Sequence, residues 1–155
     1  MKLSLDTDVA IEVIRGRRPH YRAWLEQAQA GGAGLHLSSI VFHELMFGAM
    51  ASQRPEHQRE RVAWLASTME VHAWTPDDAV EAARIRADLK KTGSGVGGMD
   101  ALIAGQALNC GWTFVTGNVR EFLRIPRLDI LSWSDPAGPL DRAEIQQRLM
   151  LGPTK

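Results

Sequence analysis

The chain reads as an α/β protein built on a parallel sheet. Two observations carry that reading. Short apolar runs of three to five residues recur between longer segments of helical periodicity, and strands spaced that way need crossover helices. The first of these runs, Leu3-Ser4-Leu5, ends abruptly in two carboxylates, Asp6 and Asp8, and a helical pattern (Val9, Ile11, Val13, Ile14) follows at once. In an open α/β sheet, ligands bind outside the carboxyl ends of the strands. Acids at the end of the first strand therefore mark a candidate site.

The elements follow in order. The first helix runs to about Arg15 and Gly16 ends it. A second helix covers roughly His20 to Ala30 and closes in Gly31-Gly32-Ala33-Gly34. Leu35-His36-Leu37 is a strand by alternation, and Ser38 or Ser39 can cap a helix from Ile40 to about Ser52. Pro55 opens another helix through Trp64 and Leu65, and Glu70 to Trp74 is a strand. Thr75-Pro76-Asp77-Asp78 is a strong helix start, with a cap, proline at the first position and two acids on the helix dipole; that helix should reach Lys91. Thr92 to Gly98 is a flexible loop, and a helix from about Met99 stops at Gly111. Trp112 to Thr116 is a strand, Asn118 to Leu123 a short helix and Leu128 to Leu131 a last strand. Beyond Ser134, two prolines and a glycine precede a short charged helix, Asp141 to Met150.

Bulk properties narrow the class. The 155 residues suffice for one domain with a real core. The 18 basic and 18 acidic residues cancel, so any nucleic acid would be held by local patches rather than by net charge. The one cysteine, Cys110, excludes an intrachain disulfide and lies in an apolar run, as an inert buried thiol would. No Cys/His zinc spacing occurs, and His36 and His43 read as structural histidines. No stretch is long and apolar enough to span a bilayer, and Asp6 and Asp8 interrupt the only apolar run at the start. A soluble, cytoplasmic protein with no membrane partner is expected.

Four more residues place polar groups where packing alone does not call for them. Glu44 shares a helix face with Ile40, Val41, Phe47 and Gly48, and an unpaired buried carboxylate costs several kcal/mol. The structural alternative is a stripe-edge acid that reaches water or an arginine. Asp100 opens the stripe Ile103, Ala104, Ala107. As a first-turn acid it would gain roughly 0.3–1 kcal/mol from the helix dipole, but Gly97-Gly98 before it allow a close approach that a plain cap does not require. Asn118 and Glu121 form N-x-x-E at the end of a strand, which reads as a capping box and also as polar groups at a site edge.

Taken in order, these residues resemble the PIN-domain nucleases, and most closely the VapC-type toxins of type II toxin–antitoxin systems. The resemblance rests on Leu5-Asp6-Thr7-Asp8, Val41-Phe42-His43-Glu44-Leu45 with Gly48, Gly98-Met99-Asp100-Ala101-Leu102-Ile103-Ala104 and Val115-Thr116-Gly117-Asn118-Val119-Arg120-Glu121-Phe122. It covers residues 1–133 as a nuclease domain and leaves 134–155 as a partly helical C-terminal tail without a functional account. It implies a three-layer α/β/α fold with a central parallel sheet of four to five strands. Asp6, Glu44 and Asp100 match the family's acidic triad, Asn118 its usual fourth position (often Asp), and Glu121 an acid nearby. Asp8 stands where the family commonly has Asn and adds a negative charge; Asn118 in place of Asp makes the fourth ligand neutral.

The resemblance implies catalysis by Asp6, Glu44, Asp100 and Asn118, with Thr116, Glu121 and Asp8 in support. Carboxylates about 5 Å apart repel by roughly 3 kcal/mol at an effective dielectric near 20, so three or four of them require a cation. Oxygen-only ligands point to Mg²⁺, with Mn²⁺ as the other option. The implied activity is endonucleolytic hydrolysis of RNA by metal-activated water, leaving 5′-phosphate and 3′-hydroxyl ends. Implied partners are RNA, a cognate antitoxin and a second copy of the chain. Arg15, Arg17, Arg18, Lys90, Lys91 and Arg120 are candidates for RNA contact against ordinary surface charge. Trp24, Trp64, Trp74, Trp112 and Trp133 could stack on bases, but core and dimer interface explain most of them.

Two other readings compete. Asp6-Thr7-Asp8-Val9 resembles the D-x-D nucleophile motif of haloacid-dehalogenase-type phosphatases, which needs a downstream lysine and a late acidic pair; the adjacent pair here, Asp77-Asp78, is already explained by capping. A PIN-like binding module with weak or no catalysis is the other, favoured by the neutral Asn118 and the zero net charge.

Overall fold

A computed structural model describes residues 1–152. Five parallel strands, β1 (Lys2–Leu5), β2 (Gly34–Ser38), β3 (Glu70–His72), β4 (Thr113–Val115) and β5 (Ile130–Ser132), form one sheet in the order β3-β2-β1-β4-β5. A sixth short strand, β6 (Leu140–Asp141), adds antiparallel to β5. The expected sheet is thus present with one extra strand. A two-residue pairing in the Pro/Gly-rich segment after Ser134 has too little periodicity to be read from sequence.

Among the described residues eight helices flank this sheet: α1 (Thr7–Arg15), α2 (Pro19–Ala30), α3 (Ser39–Met50), α4 (Pro55–Thr68), α5 (Pro76–Lys91), α6 (Gly98–Cys110), α7 (Val119–Phe122) and α8 (Arg142–Leu151). The chain steps outward through β1, β2 and β3, then returns across the sheet to β4. Parallel crossovers are right-handed as a rule, which assigns the outward helices to one face and the returning α5–α6 pair to the other. The direction reverses between β1 and β4, which makes that pair the switch point of the sheet.

The core forms on both faces from Leu3, Leu5, Leu37, Val41, Leu65, Phe114, Ile130 and Trp133, all nearly inaccessible. One close approach fixes α5 on α6. A Cβ on Gly105 would lie 2.6 Å from the Ala82 nitrogen and 2.8 Å from its Cα, so the two backbones meet where only glycine fits.

Asp77-Asp78 behaves as a helix start. Asp78 is 1% exposed and closes a capping box with Thr75, accepting from the Thr75 amide at 2.7 Å. It also accepts from Gln106 Nε2 at 3.2 Å and Asn109 Nδ2 at 2.8 Å, tying the start of α5 to α6. Asp78→Ala would take the acceptor from the Thr75 amide and from Asn109 Nδ2, and would leave the buried Gln106 Nε2 with the Ala73 carbonyl alone. The expected cost is about 2–4 kcal/mol, seen as a lower midpoint in urea at unchanged slope.

The segment from β6 through Ile145 packs on the end of the sheet. Asp141 and Glu144 form a capping box for α8, and Ile145 is buried. Arg142 donates to the carbonyls of Leu123 at 2.7 Å, Leu128 at 2.9 Å and Ile125 at 3.2 Å, holding α8 against the loop after α7. Residues 153–155 of the expected tail lie outside the described residues. Among the described residues, no helix is long and apolar enough to cross a membrane.

Candidate active site

Asp6 sits at the switch point because β1 ends there and α1 begins there. Its backbone is extended (φ −69°, ψ 158°), and its amide donates to the Val115 carbonyl of β4 at 2.8 Å. One carboxylate oxygen caps α1 by accepting from the Thr7 amide at 2.8 Å. The other accepts from the Thr116 hydroxyl at 2.7 Å. Thr116 is fully buried and its hydroxyl oxygen also accepts from the Asn118 amide at 3.0 Å, so its proton is directed at Asp6. The ends of β1 and β4 are thereby locked together around one carboxylate.

The remaining acids come from α1, α3, α6 and α7. Asp8 folds back to accept from the Val9 amide at 2.7 Å and the Gly117 amide at 3.1 Å. A Cβ on Gly117 would lie 2.4 Å from Asp8 Oδ2, which explains the glycine. Glu44 accepts a hydrogen bond from the Thr7 hydroxyl, which ties α3 to the first turn of α1. Asp100 stands half-buried in the first turn of α6. A Cβ on Gly97 would come within 3.0 Å of its carboxylate, so the close approach allowed by that glycine is to Asp100 itself.

The acids repel one another and are partly withdrawn from water. Burial, then the charge of Asp8, raises Asp6 from 3.8 to about 7, against the opposing hydrogen bonds from Thr116 and Thr7; Asp100 adds to the rise. Burial likewise raises Asp8. Asp100 is raised by burial, and next by the charges of Glu121, Glu44 and Asp8. Mutual influence of this kind requires that the five carboxylates share one edge of the sheet.

The expected capping box at α7 does not form. Asn118 is the N-cap residue but its side chain makes no capping bond, because Thr116 takes the Asn118 amide into the β4 end instead. Glu121 turns to Arg124 at 3.2 Å, and its charge is among those that raise Asp100. Thr7 was not among the expected site residues; its signal is a hydroxyl in the first helical turn beside Asp6.

Of the expected cationic residues, Arg15 and Arg17 line a groove that also holds Glu44 and Arg61. Arg18 lies 4.0 Å from Glu12 and Lys91 3.8 Å from Asp88. Lys90 lines a separate groove with Arg86, and Arg120 is exposed in the first turn of α7. Trp112 and Trp133 are buried, and Trp74 donates to the Leu102 carbonyl at 3.2 Å, so these three serve packing. Cys110 is half-buried and burial raises its thiol, as expected for an inert one. His43 is exposed, whereas His36 is buried with Nε2 unpaired.

The donor set at this edge is oxygen only. Among the described residues, its carboxylates do not bring three ligand atoms within 4.8 Å of one another; the group that does is His36, Glu70 and His72. An oxygen-only donor set of this kind fits a hard divalent cation.

The PIN domain family model matches residues 3–128, and an acidic edge at the switch point of an α/β/α sheet accords with that match. The chain belongs to the PIN-domain family. A tRNA(fMet)-specific endonuclease VapC from Salmonella typhimurium is 36% identical over 133 residues, covering 86% of this chain and 98% of the relative. The structure of DNA-bound VapBC from the same species matches with a TM-score of 0.79 at 35% identity, over 86% of this chain and 98% of that one. VapBC2 from Rickettsia felis, bound to a DNA fragment from its promoter, matches with a TM-score of 0.81 at 28% identity, over 86% of this chain and all of that one.

Proposed function

We propose that this chain is a metal-dependent endoribonuclease, the toxin of a VapBC-type toxin–antitoxin pair. The observation that carries the reading is the meeting of Asp6, Glu44 and Asp100 at the β1/β4 switch point, with Asp6 raised to about 7 by burial and neighbouring charge. A divalent cation removes the cost of keeping these groups ionised together.

Asp6 and Asp100 would hold Mg²⁺ or Mn²⁺, with Asn118 assisting directly or through water, and Glu44 would take a second ion or orient the attacking water. When bound, such an ion supplies charge stabilisation at the phosphate and lowers the pKa of a water. The chain's own residues prepare the site. Thr116 and the Thr7 amide aim both oxygens of Asp6, the Thr7 hydroxyl fixes Glu44 relative to α1, and Gly117 holds Asp8 against the end of β4. Glu121 acts from further out, through its charge on Asp100. The groove carrying Arg15, Arg17 and Arg61 leads to Glu44 and would take the sugar-phosphate backbone on either side of the cut.

The relative that is 36% identical is named as tRNA(fMet)-specific, which makes initiator tRNA the substrate to test first. The neighbouring structures are VapBC complexes, so a cognate antitoxin is the proposed inhibitor, and a homodimer is the proposed assembly. Residues 1–133 would carry the nuclease and the C-terminal segment would brace it. Incubating purified, antitoxin-free protein with initiator tRNA and with total RNA in Mg²⁺ tests this. Discrete fragments with 5′-phosphate and 3′-hydroxyl ends are expected, and added antitoxin should suppress them. Fragments ending in cyclic phosphate would rule out hydrolysis by water at this site.

A further inference from the structure

A second polar cluster stands on β2 and the edge strand β3. In the parallel register His36 pairs with Glu70 and Ser38 with His72, so His36, Glu70 and His72 point from one face of β2 and β3. His36 Nδ1 lies 2.9 Å from His72 Nε2. The Glu70 carboxylate reaches His36 Nδ1 at 3.7 Å and His72 Nε2 at 3.4 Å.

The cluster is built rather than incidental. His36 is 8% exposed, and its ring lies flat on Trp112, with centroids 5.1 Å apart and planes 2° from parallel. Trp112 also meets the His72 ring edge-on at 4.9 Å. Gly34 closes over the far nitrogen of His36, where an added Cβ would lie 2.8 Å from Nε2, and that buried nitrogen has no partner. The ring is thereby held with Nδ1 directed at His72 and Glu70. Two imidazole nitrogens facing each other beside a carboxylate can share a proton, or they can share a cation in its place.

We propose that His36, His72 and Glu70 form a transition-metal site of the Zn²⁺ class, with three protein ligands and a position open to solvent. Tetrahedral bonds of about 2.0–2.2 Å set ligand atoms about 3.3–3.5 Å apart. The two imidazole nitrogens stand 2.9 Å apart, Glu70 Oε1 lies 3.4 Å from His72 Nε2 and Oε2 3.7 Å from His36 Nδ1, and one ligand atom from each residue lies within 4.8 Å of the other two. Imidazole donors select zinc, nickel or copper over magnesium, which separates this site chemically from the oxygen-only edge. Glu70 is exposed and His72 half-buried, so an ion can enter from solvent. A metal here would staple the edge strand β3 to β2. The last residue of β2, Ser38, caps α3, the helix that carries Glu44, so the staple would stiffen the root of that helix.

The test is calorimetric titration of Zn²⁺ into tag-free, chelator-washed full chain with excess Mg²⁺ present. One equivalent of Zn²⁺ is expected, with a rise in melting temperature. His72→Gln and Glu70→Gln, both at accessible positions, should each weaken binding by about tenfold or more, and Asp100→Asn should leave it unchanged. Co²⁺ in place of zinc should give the visible absorption of a four-coordinate nitrogen–oxygen site, lost in His72→Gln. Folded protein that takes up no zinc would overturn the proposal and leave a hydrogen-bonded histidine pair. So would binding that persists in His72→Gln but disappears in Asp100→Asn, which would assign the ion to the acidic edge.

Discussion

Asp6→Asn is expected to abolish RNA cleavage and at the same time to stabilise the metal-free protein. Asp6 is raised to about 7 by burial, then by Asp8, although Thr116 and Thr7 both donate to it. Its pKa is therefore higher in the folded chain than in the unfolded one. Between about pH 4 and 7 the folded state binds the extra proton, so stability falls as pH rises through that window and the full cost is present above it. Asparagine keeps the helix cap and an oxygen for Thr116 or Thr7 without the charge. At pH 8 in chelator the variant should melt higher than the parent by roughly 5–10 °C, from a gain of about 2–3 kcal/mol. At pH 5 the difference should shrink. Because a divalent cation competes with the same proton, Mg²⁺ should raise the parent's melting temperature at pH 8 more than at pH 5, and the variant's hardly at all. Thermal melts of both proteins at the two pH values, with and without Mg²⁺, check each point. A variant less stable than its parent at pH 8 would contradict the electrostatic account of the site.

Gly105→Val should be the most damaging single change away from the acids. The added atoms would meet the Ala82 backbone at 2.6–2.8 Å, and backbone within a helix cannot swing aside as a side-chain tip can. Alanine there would gain about 1 kcal/mol of helix propensity over glycine, against an overpacking cost of roughly 1–3 kcal/mol. Valine adds more bulk with less propensity, so a loss of about 3 kcal/mol or more is expected. The consequence for function runs through α6, since separating α6 from α5 shifts Asp100 relative to Asp6. A displacement near 1 Å at a reacting centre can cost about a hundredfold in rate. Gly48→Ala is the matched control, because nothing lies within 4 Å of its added Cβ. Melting curves and initial cleavage rates of the three proteins decide the matter; a Gly105→Val protein as stable as Gly48→Ala would mean that α5 and α6 are free to separate.

The sheet was legible because β1, β2 and β4 are short, largely apolar runs each followed by a helix start, and the acids were legible because they interrupt those patterns. Asp6 ends a strand, Glu44 sits among apolar neighbours, and Asp100 follows two glycines. The polar bonds around them depend on pairing that sequence does not display. That the Thr116 hydroxyl rather than the Glu121 side chain accepts from the Asn118 amide follows from β4 lying beside β1, with Asp6 drawing the Thr116 proton. The His36–His72 contact, between residues 36 positions apart, follows from the register of β2 and β3. The antiparallel β6 was hidden for a related reason: two residues carry no alternation, and the strand exists because Arg142 and Ile145 anchor α8 behind it.

Cleavage of RNA by the purified chain beside Asp100→Ala, in Mg²⁺, in Mn²⁺ and in chelator, tests the central claim most directly. Discrete fragments that require a divalent cation and vanish in the folded Asp100→Ala protein are the predicted result. Equal cleavage by Asp100→Ala, or by the parent in chelator, would contradict an acidic, metal-dependent centre at the β1/β4 edge.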